Sequence, residues 1–140
     1  MGEVPVEDIQ VGDGLLAYSN QPKNFRDWSS PSLKGKTVYA TVNALHYGQE
    51  DHYYVINGQK FTHEHPVLIY DNELWRYVPA REVRLGQTVL GRKGPIVVSS
   101  YQRIDEQVQT VDIDVEPFDC YFVGDVLAHN TDIVAKAEKT

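Results

Sequence analysis

The end of the sequence holds three neighbouring residues that can react with one another: His129, Asn130 and Thr131. An asparagine side-chain amide can attack its own main-chain carbonyl, which closes a five-membered succinimide and cuts the bond to the next residue. The imidazole of His129 can move the protons that this slow reaction needs, and the hydroxyl of Thr131 can accept an acyl group. The alternative is a strand that ends in a polar turn, and partners elsewhere in the chain must decide between the two.

A second group of polar residues lies in mid-chain, between Thr62 and Pro66. Thr62 and His65 could converge on one carbonyl, polarise it and protonate its leaving nitrogen. Residues three apart face opposite sides of a regular strand, so this role requires a bend near Pro66. Two alternatives stay open: His63 and His65 share a strand face and could bind a metal ion, or the histidines are ordinary satisfied or surface residues.

Short runs of β-branched and aromatic residues predict an all-β domain of many short strands, closer to a closed or horseshoe barrel than to an open sheet. Asn57-Gly58 predicts a two-residue hairpin turn. Residues 19–36, rich in serine and proline, predict a long surface loop. No segment has a helical period, although residues 5–9 and 79–83 could each form one turn.

An internal repeat indicates how this domain is organised. Residues 4–17 align without gaps on residues 78–91, with a Val-Pro, an acidic residue, a glycine and a strand in the same order. We therefore expect two halves related by a pseudo-twofold axis. The second copy follows a strand and a turn, whereas the first stands at the start of the chain, so we expect the domain to lack its own first strand. A strand donated by another chain would satisfy the unpaired backbone groups.

Composition argues against several classes of function. The 140 residues suffice for one domain with a hydrophobic core. A net charge of -7 without a basic stripe disfavours nucleic-acid binding, and no membrane span or signal peptide is evident. A soluble, cytoplasmic protein is therefore expected. The single Cys120 excludes an internal disulfide and a multi-cysteine metal site, and we expect it to be a small packed side chain.

Taken in order, these motifs resemble those of an intein. The resemblance rests on Thr62 and His65, on residues 111–116 followed by residues 119–124, and on His129-Asn130 before Thr131. It implies the Hint fold, a horseshoe-like all-β fold with a pseudo-twofold internal repeat. Residues 1–130 would form the intein domain, and residues 131–140 would begin the downstream host protein, the C-terminal extein.

The sequence departs from the intein pattern at two places. Inteins begin with a nucleophilic Cys or Ser, whereas this chain continues from Met1 to Gly2 without one. We therefore expect the C-terminal fragment of an atypical split intein, whose short N-terminal fragment is a separate chain; an experimental truncation is the alternative. Asp119 stands where many inteins have a histidine that assists asparagine cyclisation, and whether it takes over that role stays open.

The resemblance implies an autocatalytic, single-turnover reaction that needs neither metal nor cofactor. The first Cys or Ser of the N-terminal fragment would form a (thio)ester at the upstream junction. Thr62 and His65 would stabilise the strained peptide there, and Asp112 would couple the upstream and downstream steps. The expected host is a DNA polymerase, because Thr131-Asp132 matches a Thr-Asp in the catalytic motif of family B DNA polymerases. The intein itself would be encoded by a phage or a bacterium.

The same resemblance assigns roles at the downstream junction. Thr131 would take the upstream protein onto its hydroxyl, and Asn130 would then cyclise with help from His129 and Asp119, which releases the intein. Two other functions compete with this splicing scheme. One is a β-barrel module that binds a peptide by strand addition, and the other is a Hint-type domain that cleaves without ligation.

Overall fold

The computed structural model describes residues 6–130, whose regular structure is almost entirely β-strand, as the sequence predicts. The predicted absence of a first strand and the tail of residues 131–140, including Thr131, lie outside the described residues. The strands are Gly14–Tyr18 (β1), Ser29–Ser30 (β2), Thr37–Glu50 (β3), Tyr53–Ile56 (β4), Gln59–Phe61 (β5), Pro66–Asp71 (β6), Leu74–Pro79 (β7), Thr88–Gly91 (β8), Gly94–Val97 (β9), Tyr101–Ile104 (β10), Val108–Glu116 (β11), Cys120–Val123 (β12) and Val126–His129 (β13). Single turns of 3-10 helix, Val6–Asp8 and Ala80–Glu82, occur where the sequence predicts one turn.

The strands form three sheets. The first has the order β1-β3-β11, and the long β3 pairs with β1 through its first part and with β11 through its second part. The second has the order β10-β4-β5. The third runs β12-β13-β6-β7-β2, with β8 added to β6 and β9 added to β8. All of these pairings are antiparallel, and some join strands that are distant in sequence, such as β3 with β11 and β6 with β13.

Both copies of the sequence repeat have the same local structure. In each copy the 3-10 turn is followed by a glycine with positive φ, 97° at Gly12 and 87° at Gly86. The amide of Gly12 donates to the carbonyl of Val42 over 2.8 Å, and the amide of Gly86 donates to the carbonyl of Val98 over 3.0 Å. A Cβ is strained at such φ values, which is why glycine recurs there. The repeat in sequence is therefore a repeat in structure.

Residues 19–36 lie at the surface, as the sequence predicts, and none of them is fully buried, but the segment is packed against the domain. Phe25, Trp28 and Leu33 pack against the hydrophobic core, and within this segment β2 pairs with β7. The ends of the segment are tied by a 2.9 Å hydrogen bond from the amide of Ser19 to the carbonyl of Lys36. The serines and prolines predict the surface position, whereas the few aromatic side chains determine the packing, which the composition does not show.

Two strands are buried on both faces and separate two clusters of the core. In β6, Leu68 belongs to the first cluster, while Val67 and Ile69 belong to the second. In β13, Leu127 belongs to the first cluster and its two neighbours to the second. Since successive side chains of a strand point to opposite faces, β13 is held from both sides up to the residue before Asn130. Among residues 6–130, no helix is long and apolar enough to cross a membrane.

Candidate functional site

The side chain of Asn130 is buried directly beyond β13, with 6% of the residue exposed. Its amide nitrogen lies 2.9 Å from Asp114 Oδ1, 3.2 Å from the carbonyl oxygen of Val115 and 3.3 Å from Asp119 Oδ1. The main-chain amide of Asn130 donates to the carbonyl of Asp119 over 2.8 Å. Strand β11 and the turn before β12 therefore fix both the backbone and the side chain of Asn130.

The orientation of this side-chain amide follows from its surroundings. Three oxygen atoms face the Nδ2 of Asn130, whereas its buried Oδ1 has no hydrogen-bond partner among the described residues. A flipped amide would direct an oxygen at two carboxylates, which is electrostatically unfavourable. Hydrogen bonds from Nδ2 to anionic acceptors increase the electron density on this nitrogen. A hydrogen bond donated to Oδ1 would instead decrease it. The environment therefore suits a nitrogen that acts as a nucleophile.

His129 contacts the carbonyl that such a nucleophile would attack. Its Nδ1 lies 2.9 Å from the main-chain oxygen of Asn130, and its Nε2 lies 2.6 Å from the main-chain oxygen of Pro22. Both partners are acceptors, and a neutral imidazole has only one N–H, so only the imidazolium form donates to both. In that form His129 polarises the Asn130 carbonyl and has a proton to give to the leaving nitrogen.

The segment of residues 19–36 forms a wall around the His129 ring. The ring of Phe25 lies 4.7 Å from that of His129, and the ring of Tyr77 lies 5.1 Å away on β7. The hydroxyl of Tyr77 donates to Gln21 Oε1 over 2.7 Å. Burial raises the pKa of Tyr77 well above that of a free phenol, so this hydroxyl stays a neutral donor. The wall excludes water from one side of the imidazole, which the sequence analysis did not foresee.

Three carboxylates, those of Asp114, Glu116 and Asp119, have oxygen atoms within 4.8 Å of one another. Such distances would suit a hard metal ion. However, a lysine ammonium and the Asn130 amide already lie beside these carboxylates. Lys23 Nζ lies 3.4 Å from Asp119 Oδ2, and the charge of Asp119 is the main reason that the pKa of Lys23 is raised. The amide of Asn130 occupies the facing oxygens of Asp114 and Asp119. We therefore regard Asp114 and Asp119 as partners of the Asn130 amide, and Asp119 also as the ion-pair partner of Lys23.

Thr62 and His65 come together in the tight connection between β5 and β6. The main-chain amide of His65 donates to the carbonyl of Thr62 over 3.1 Å, which supplies the bend that their spacing requires. His65 is 7% exposed, and its Nε2 lies 3.5 Å from the hydroxyl of Tyr121. Burial raises the pKa of Tyr121 above its ordinary range, so this hydroxyl also stays neutral. Tyr121 pairs with Ala128 in the β12–β13 ladder, which connects the two polar groups through one hairpin.

His63 and His65 do not form the shared metal site that their spacing allows. His63 stacks on His52 with ring centroids 5.1 Å apart, and its ring nitrogens lie 3.6 Å from Glu50 and 3.3 Å from Glu64. His65 instead packs against the ring of Phe61. No histidine of residues 6–130 belongs to a group of three metal-ligating side chains with convergent ligand atoms. The alternative of a metal ion bound by His63 and His65 therefore has no support in this part of the chain.

Asp112 and Asp119 are predicted as site residues from the sequence, whereas Asp114 is not. Asp112 is buried in β11, opposite His46 in the pairing with β3. Asp114, two residues further along the same strand, makes the shortest hydrogen bond to the Asn130 amide. The alternation of strand side chains puts Asp112 and Asp114 on one side of β11. This alternation is the sequence pattern from which Asp114 could have been predicted. It could not show which carboxylate meets Asn130, because that depends on how β11 packs beside β13.

We expect the Cys120 thiol to resist alkylation in the folded protein. The residue is fully buried, its Sγ donates to the carbonyl of Tyr18 over 3.2 Å, and burial raises its pKa to about 12. The reactive thiolate is therefore scarce at neutral pH. Iodoacetamide treatment followed by intact mass should show no adduct in native buffer and one adduct in urea. Equal labelling rates in the two conditions would contradict this packed role, which the sequence predicts and the structure confirms.

The chain resembles known proteins in three-dimensional structure, but its sequence matches neither a family model nor a curated protein. An intein-like domain from Clostridium thermocellum superposes with a TM-score of 0.68 at 26% identity, over 91% of this chain and 88% of that one. A DnaB intein from Synechocystis gives a TM-score of 0.63 at 16% identity, over 87% and 81% of the two chains. An intein from a hyperthermophile gives 0.55 at 21% identity, over 82% and 71%.

Proposed function

We propose that this chain, an intein-type domain with the all-β Hint fold, acts in protein splicing by cutting the bond between Asn130 and Thr131. The observation that carries the proposal is the pair of contacts at this bond. The Asn130 amide nitrogen is held by carboxylates, and His129 Nδ1 lies 2.9 Å from the Asn130 carbonyl oxygen. A polar turn that merely ends a strand needs neither contact.

The C-terminal step forms one bond and breaks another. Asn130 Nδ2 attacks the main-chain carbonyl carbon of Asn130 and loses one proton, and His129 stabilises the charge that develops on the carbonyl oxygen. The C–N bond to Thr131 then breaks, and its nitrogen takes a proton from His129. The products are a succinimide at Asn130 and a free amino group on Thr131. Because every reacting group lies within two adjacent residues, the step gains most of the advantage of an intramolecular reaction.

Splicing also requires an upstream nucleophile, which we propose comes from a separate N-terminal fragment that begins with Cys or Ser. Its peptide bond would lie against Thr62 and His65, whose tight connection and neutral Tyr121 partner suit the stabilisation of a tetrahedral intermediate. Among residues 6–130, β12 pairs in a ladder with β13 only, so its outer edge offers backbone groups to an added strand. Thr131 would then accept the acyl group. We place the reaction inside the cell, on a host for which Thr131-Asp132 suggests a DNA polymerase.

The proposal can be tested by intact mass spectrometry of the 140-residue chain. The chain is incubated alone and with N-terminal fragments that carry a marker peptide and the first strand of the Clostridium thermocellum intein-like domain. Splicing predicts the marker joined to residues 131–140 and an excised chain that ends in a succinimide. In Thr131→Ala the released tail should appear without the marker. A chain that stays intact under both conditions would contradict the splicing proposal and favour the peptide-binding module. A free tail without ligation from the unaltered chain would favour a cleavage-only Hint-type domain.

A further inference from the structure

We propose that Asp114 is the base that takes the proton from Asn130 Nδ2 during succinimide formation. The inference rests on the proposed function and assigns a role within the same site. An amide nitrogen is a weak nucleophile until it loses a proton, so a positioned acceptor is the group that this step needs most. Asp114 Oδ1, at 2.9 Å, is the nearest of the oxygens that face this nitrogen.

A β-bulge between β3 and β11 positions the Asp114 carboxylate. Asp114 pairs with Ala44 and the next residue pairs with Val42, so Asn43 is an extra residue on β3. Bulges of this kind redirect side chains and are common beside active sites. Asn43 Nδ2 donates to Asp114 Oδ2 over 3.2 Å, which fixes the carboxylate by one oxygen and leaves the other facing Asn130. Because the Asn43 amide is neutral, it orients the base without cancelling its charge.

Asp119, the other carboxylate at this nitrogen, is less suited to the role. Its Oδ1 lies 3.3 Å from Asn130 Nδ2, and its Oδ2 forms an ion pair with the Lys23 ammonium at 3.4 Å. The attraction of a nearby cation makes a carboxylate less willing to accept a proton. Asp119 also holds the backbone of Asn130 through its carbonyl. The geometry therefore assigns Asp119 to positioning Asn130 and Asp114 to accepting the proton of Asn130 Nδ2.

The proton balance closes without any further reagent. The proton of Asn130 Nδ2 moves to Asp114 Oδ1 as the bond from Nδ2 to the Asn130 carbonyl carbon forms. When the C–N bond to Thr131 breaks, its nitrogen takes a proton from His129. The imide nitrogen keeps its remaining hydrogen. Asp114 then returns its proton through solvent, and His129 regains one, so the reaction consumes no net proton.

The experiment compares carboxylate-to-amide variants within one acidic cluster. The rate at which the 131–140 peptide appears is measured by mass spectrometry for the unaltered chain with its N-terminal fragment, for Asp114→Asn and for Glu116→Gln. Both variants remove one negative charge from the same cluster. We expect Asp114→Asn to slow release by about 100-fold or more, as the loss of a general base does. Glu116→Gln should stay within about threefold, because an exposed charge is screened by solvent.

The outcomes separate this inference from the proposed function. If the unaltered chain releases the peptide and Asp114→Asn does so at the Glu116→Gln rate, Asp114 is not the base, although the splicing proposal stands. If the unaltered chain releases nothing, the splicing proposal itself fails. Should Asp114→Asn not fold, Asp114→Ala in increasing formate provides a second test. A rate that rises with formate supports the role of a lost carboxylate, and a flat response overturns it.

Discussion

Asn130→Ala is expected to abolish release of residues 131–140, so that the intact mass of the chain stays constant over an incubation in which the unaltered chain is cut. Alanine has no amide nitrogen to attack the carbonyl, and the His129 imidazole that contacts the carbonyl oxygen cannot close a succinimide. Loss of the attacking group removes the intramolecular pathway, which supplies about 10⁵-fold or more in rate when groups are well oriented. The readout is the mass of the full chain, together with the mass of one water that the excised chain gains when its terminal succinimide hydrolyses.

A matched control uses an asparagine for which the structure gives no hydrogen bond to His129 or Asn130. Asn24 is in the segment of residues 19–36, where its side chain accepts a hydrogen bond only from a neighbouring amide. Asn24→Ala should therefore release the peptide at the unaltered rate. Release of the same peptide by Asn130→Ala would mean that a contaminating protease or a different residue cuts the chain, and the role of Asn130 would have to be abandoned.

The second large effect is expected for His129→Gln, which should slow peptide release by about 10²- to 10⁴-fold, the usual loss when a positioned acid or base is removed. Glutamine can donate a hydrogen bond to one carbonyl, but it cannot supply a proton to the Thr131 nitrogen. The buried site would also lose one of its two contacts, to the Asn130 or to the Pro22 carbonyl. The rate of peptide release, measured at matched folded fraction, gives the size of the effect.

Two further variants test whether the loss of rate is specific to His129. His63→Gln changes a half-buried histidine that contacts Glu50 and Glu64, and it should leave the rate of peptide release unchanged. Phe25→Ala removes the ring 4.7 Å from His129, so we expect a smaller loss than in His129→Gln, as water reaches the imidazole. Equal rates for His63→Gln and His129→Gln would show that His129 has no specific part in the reaction.

The local features of the fold could be read from the sequence because each depends on neighbouring residues. The Asn57-Gly58 turn joins β4 to β5, with positive φ at both residues, since side-chain-free or amide residues tolerate that conformation best. The repeated glycines, Gly12 and Gly86, likewise mark corners that only their backbone freedom permits. By contrast, the packing of residues 19–36 depends on surfaces that are distant in sequence, so their composition predicts a surface segment but not its contacts.

The sequence by itself determined which groups can react at the downstream junction. Asn130, His129 and Thr131 are adjacent in the chain, and succinimide closure joins atoms of a single residue, so no folding is needed to bring the attacking nitrogen near its carbonyl. Thr62 and His65 were also recognisable, because a short connection places them together.

Only the tertiary structure decided which groups surround them. Asp114 meets the Asn130 amide because β11 packs beside the end of β13, and the bulge at Asn43 orients its carboxylate. Pro22 meets His129 across more than a hundred residues of sequence. Contacts of this kind arise from the packing of strands that are distant in sequence, and no pattern of neighbouring residues encodes them.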